Sequence, residues 1–141
     1  MENRFEIGSF LLRITAGAVF AVHGFAKFSG GIENTAGWFS SIGLPGFLAY
    51  GIALIELIGG ICLIIGLGTR IFSSLLAIVM IGAIVKVKLA AGFMGNGQGA
   101  GWELDLALLA ITLSLAISGS SLLSIGEWIF NRKESDMTIG K

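Results

Sequence analysis

Long apolar segments, each holding a few ionisable residues, constrain this chain more than any other feature. They fall at about 7–27, 47–67, 71–91 and 103–125 of the 141 residues. A helix needs roughly 20 consecutive apolar residues to cross the hydrocarbon core. Irregular backbone and open sheet edges are not tolerated against lipid. The segments are also too long for barrel strands. They therefore predict an all-α integral membrane protein, an antiparallel four-helix bundle with short connections. Composition agrees: 55% of residues are hydrophobic and only 13% are charged, against about 25% charged in a soluble domain.

One membrane domain over 1–126 and a polar tail over 127–141 follow from this reading, with no second domain and no internal repeat. The first segment contains Arg13 and no small-residue cleavage site, so it reads as a retained helix and not as a signal peptide. The stretch 28–46 reads as a Gly/Ser-rich loop, with Trp38 and Phe39 suited to the membrane boundary. Pro45-Gly46 marks the start of the second span. An even number of spans puts both termini on one side, together with Arg4, Arg70, Arg132, Lys133 and Lys141. Lys27, Lys86 and Lys88 fall on the other side. The positive-inside rule then places both termini in the cytoplasm of a multi-pass cell-membrane protein.

Several chemistries are disfavoured by what the sequence lacks. Zero net charge leaves no basic face for nucleic acid. A single histidine, His23, and a single cysteine, Cys62, leave no second histidine in the chain to clamp a haem and exclude a multi-histidine metal site within one chain. The stretch Gly95-Asn96-Gly97 lacks the strand–turn–helix setting of a dinucleotide fold and the Lys-Ser/Thr ending of a P-loop. No flavin, haem or NAD motif is present, and the glycine-rich loop reads as a turn or a lid.

The charges inside the spans are the candidates for function. An unpaired charge at mid-bilayer costs at least ~3 kcal/mol, so Arg13 and Glu56 are expected to pair as a structural ion pair. Helical spacing sets Arg13, Gly17, Phe20, Gly24 and Lys27 near one face, with His23 at its edge. Lys86 or Lys88, and Glu103 or Asp105, reach the same outer level; members of each pair are two apart, so one of each faces inward. His23 and Lys27, with one of Lys86 and Lys88 and one of Glu103 and Asp105, thus form a candidate outer polar pocket that binds a phenolate or quinone oxygen and exchanges protons, with imidazole the group suited to neutral pH. The alternative is structural, with snorkelling lysines around a boundary histidine. Gly17, Gly24, Gly59 and Gly60 offer close helix approach.

Short motifs follow one another along the chain: Leu12-Arg13-Ile14, His23-Gly24-Phe25-Ala26-Lys27-Phe28, Gly43-Leu44-Pro45, Glu56-Leu57-Ile58-Gly59-Gly60, Gly66-Leu67-Gly68-Thr69-Arg70, Lys88-Leu89-Ala90-Ala91-Gly92-Phe93 and Gly101-Trp102-Glu103. Their order resembles the DoxX family of four-span membrane proteins. The family is associated with quinol oxidation and thiosulfate:quinone oxidoreduction, and similar members from Bacillus-type bacteria are linked with catechol, hydroquinone or quinone stress. The resemblance implies a membrane-bound oxidoreductase, or a redox-complex subunit, that handles a quinone, catechol or related small aromatic. Its recurrent polar positions map onto Arg13, His23, Lys27, Glu56, Lys88 and Glu103; the position of Lys88 often holds histidine. Quinone enters as substrate, and the expected partners are the lipid bilayer, a redox protein and further copies of the chain. A non-enzymatic scaffold for a soluble redox enzyme and a small transporter stay open as alternatives.

Overall fold

The computed structural model describes residues 2–126 and 128–129; most of the expected tail, 127–141, lies outside them. The described chain is helical and contains no strand. Helix α1 spans Glu2–Ser29, α2 Ile32–Ser41, α3 Phe47–Ile65, α4 Thr69–Gly82 and α5 Glu103–Ser118. Beyond α4 the helix continues as a π-helical segment, Ala83–Lys88, and a 3₁₀ turn, Leu89–Ala91. α1 packs on α3, α3 on α4, α4 on α5 and α5 on α1, closing a ring.

Side chains are sorted in the manner of a membrane protein. Large apolar residues such as Val22, Phe25, Phe47, Ile71, Ile78 and Ile117 face outward. The interior holds small and polar residues, Ala16, Ala49, Ala53, Arg13, Glu56, Ser73 and Thr112, around Phe20, Leu63 and Leu76. Lipid is as apolar as leucine, so association depends on close packing and buried polar contacts. Among the described residues three helices are long and apolar enough to cross a membrane: Asn3–Ser29, Phe47–Ile65 and Thr69–Ala91.

Two expectations need correction. The segment 28–46 is not a loop throughout, since α2 fills its centre and buries Ile32 and Phe39 against Ala49 and Ala53 of α3. The expected span 103–125 is helical only over Glu103–Ser118, about 24 Å long at 1.5 Å per residue, against a hydrocarbon core of about 30 Å. It stops because Gly119 takes φ +72° and α1 captures the loop beyond it. Arg13, fully buried, donates to the carbonyls of Ser120 (3.4 Å), Leu122 (3.1 Å) and Leu123 (3.1 Å). Glu6 accepts the amides of Ser121 and Leu122 from the same loop.

The contact between α1 and α3 rests on glycine. A Cβ on Gly60 would lie 2.4 Å from the Ala21 nitrogen, and one on Gly24 would lie 2.4 Å from the Leu57 nitrogen. Residue numbers rise along α1 as they fall along α3, so the two helices are antiparallel. A β-carbon at either site forces the backbones apart. Gly60→Val is expected to destabilise the fold by about 3 kcal/mol or more, read as a lowered melting temperature in detergent. Gly51→Ala, in open space on α3, leaves that temperature unchanged or raises it, because alanine favours helix.

Candidate functional site

The packing of α1 on α3 decides which charges meet. Gly24 sits beside Leu57, so Lys27 lies just beyond the level of Glu56. Helical side chains lean toward their own N-terminus, which carries the Lys27 ammonium back to the Glu56 carboxylate. The two form a hydrogen-bonded ion pair. Glu56 is buried and Lys27 half-buried.

The expected pair between Arg13 and Glu56 is therefore not formed. Arg13 lies beside Gly66, and Gly66 is ten residues from Glu56 along the chain, about 15 Å at 1.5 Å per residue. Its side chain also leans away from Glu56. Carbonyls of the loop after α5 take the guanidinium, the Phe10 ring lies 5.3 Å from it, and Arg13 acts as the tie that holds that loop. The carboxylate that needed a cation found a lysine one turn from the other end of the helix.

A second pair forms on the opposite wall. Lys88 donates to Asp105 at 2.6 Å, and Asp105 is buried. Glu103, expected in the pocket, is exposed at the first position of α5 and does not line the cavity. The helical phase explains the exchange: Asp105, Leu108, Thr112 and Leu115 are the buried positions of α5, spaced to share one face, and Glu103 is outside that stripe. The π-helix matters equally. Its wider turn changes the direction in which successive side chains leave the helix, and such turns recur at functional sites. Here it ends on Lys88.

Both pairs line one cavity of about 480 Å³. Its walls are mainly apolar: Phe20, Phe39, Leu44, Ile52, Met80 and Leu108 contribute to them. Trp38 of α2, His23 and Lys86 also line it, and His23 and Lys86 are exposed. Of the expected site residues, the structure brings together His23, Lys27 and Lys88, adds Glu56, Asp105 and Lys86, and leaves Glu103 and Arg13 outside. The glycine-rich loop is not a lid on this cavity, since none of 92–101 lines it. It is closed on itself by the Phe93–Trp102 ring contact at 4.9 Å and by the Glu103 amide on the Phe93 carbonyl. No cluster of three or more His, Cys, Asp or Glu side chains suited to a metal occurs among the described residues.

An all-helical membrane protein with paired charges around an apolar internal cavity is the class these features define. The chain belongs to the DoxX family, whose pattern matches residues 8–89. It is similar to a Bacillus subtilis protein named "Putative oxidoreductase CatD", 48% identical over 135 residues and 96% of each chain. It is also similar to an uncharacterized membrane protein of Mycobacterium tuberculosis, 33% identical over 134 residues, covering 88% of this chain and 79% of the relative. No solved structure matches the chain. Asp105 lies beyond the matched family segment, yet it completes the second ion pair.

Removing one member of a buried pair strands the other. Asp105→Asn is expected to cost about 3 kcal/mol, seen as a large fall in melting temperature, while Glu103→Gln leaves it unchanged. Equal effects of the two would contradict the assignment of Asp105 as the interior carboxylate.

Proposed function

We propose that this chain is a membrane-bound oxidoreductase, or the membrane subunit of one, acting on a quinone, a catechol or a related small aromatic. The observation that carries the reading is the single cavity into which both ion pairs face. Ligand sites of small molecules are typically 300–1,000 Å³, mostly apolar, with a few convergent polar groups; the volume of about 480 Å³ and the apolar lining with its two ion pairs fit that pattern. Ionisable groups held within a membrane-spanning bundle mark functional sites by default. The oxidoreductase name of the Bacillus relative supports the reaction class.

The chemistry assigned to the residues is simple. Reducing a quinone to its quinol adds two electrons and two protons; oxidising a catechol removes the same. The Lys27 and Lys88 ammonium groups hold the ring oxygens where negative charge develops. His23 exchanges protons at the exposed side of the cavity. Glu56 and Asp105 keep the two ammoniums in place. A redox partner protein supplies or accepts the electrons. In this reading α5 completes a four-helix antiparallel bundle as a shallow fourth crossing. Both termini lie in the cytoplasm, and the cavity opens in the outer half of the membrane.

A quinone analogue added to the purified protein in detergent tests the reading. Saturable binding is expected, weakened about tenfold or more by Lys27→Met and by Asp105→Asn, and insensitive to Glu103→Gln. Absence of saturable binding contradicts it. In that event, co-purification of a soluble redox enzyme would point to the scaffold reading, and uptake by vesicles containing this chain alone would point to transport.

A further inference from the structure

The charges that line the cavity do not cancel. Lys27 is taken by Glu56 and Lys88 by Asp105. Lys86 also lines the cavity, and among the described residues it has no ion-pair or hydrogen-bond partner. His23 contributes no formal charge in its neutral form. Three ammonium groups therefore share the cavity with two carboxylates. The unmatched one is exposed.

From this imbalance we infer that the occupant is an aromatic monoanion, and that Lys86 is the residue that selects it. The inference rests on the cavity being the substrate site and narrows the substrate from neutral quinones to aromatics bound as a monoanion, such as a catechol that has lost one proton. An anion entering an apolar cavity loses hydration, and the loss is recovered only with a cation alongside. The charges of Lys27 and Lys88 are already matched by Glu56 and Asp105, so the two lysines can hold a polar ring oxygen but do not offset a full negative charge. Lys86 is not engaged. One phenolate or carboxylate group brings the set to three charges of each sign, so the filled cavity is neutral. A neutral ring gains nothing comparable from Lys86, and a dianion leaves one negative charge unmatched. Phe20, Phe39 and Trp38 supply the aromatic surface for the ring, so the two halves of the ligand meet different parts of the wall.

Lys86 and Lys88 stand two residues apart at the end of the π-helical segment Ala83–Lys88, and both border the cavity.

The test compares 4-hydroxybenzoate with 4-hydroxybenzamide, which have the same ring and hydroxyl but differ in charge. The full chain is placed in nanodiscs of zwitterionic phosphatidylcholine, and binding is followed by calorimetry. The benzoate is expected to bind at least tenfold more tightly than the amide. Lys86→Met should abolish that preference without weakening the amide, and Lys86→Arg should retain it. Equal binding of the two ligands, or a preference that survives Lys86→Met, overturns the inference and leaves the proposed function standing. Binding of neither also overturns the inference, and the quinone-analogue titration then decides the proposed function separately.

Discussion

A carboxylate in the middle of an apolar helix must find a cation, and most of this architecture depends on how Glu56 finds one. The α1–α3 contact makes it possible. Gly24 and Gly60 let the two backbones approach so closely that a single methyl group would collide with main chain. That approach sets the levels of the two helices. With the levels set, Lys27 meets Glu56 and Arg13 does not. Arg13 is left to satisfy its charge among carbonyls of the loop after α5, so the two ends of α1 do different work. One end organises a cavity, and the other ties down the far end of the chain.

The division also places the polar chemistry. Each of the two buried acids that face the cavity is matched by a lysine, and Lys86 is the ammonium left over. Because both pairs open on the same space, the cavity is apolar in surface and charged at a few points.

Much of this is legible in the sequence. The apolar segments predict an all-helical membrane chain, and the glycines at 17, 24 and 60 read correctly as points of close approach. His23, Lys27 and Lys88 stand out by depth and spacing. The failures have physical causes. Assigning Arg13 to Glu56 compares depths without the lean of helical side chains, which runs toward the N-terminus of α1 and so carries Arg13 away from Glu56 and Lys27 back toward it. Spacing leaves Glu103 and Asp105 open because α5 is apolar nearly all round and periodicity marks no buried face, and the resemblance points to Glu103; Thr112, seven residues from Asp105, is the signal that could have found Asp105. The helix α2 is hidden by its glycines and serines, although Ile32 and Phe39, two turns apart, mark its buried face. Nothing in the sequence announces the π-helix.

The pairing of Lys27 with Glu56 is the claim on which the account stands, and a double-mutant cycle measures it directly. Lys27→Met, Glu56→Leu and the combined variant are compared by thermal unfolding in detergent, with Arg13→Met in place of Lys27→Met as a second cycle. The account predicts that each single change is destabilising, that the Lys27–Glu56 double is no worse than either single, and that the coupling is about 2 kcal/mol. Arg13 and Glu56 should be additive. Additive losses for Lys27 and Glu56, with coupling between Arg13 and Glu56 instead, would contradict it.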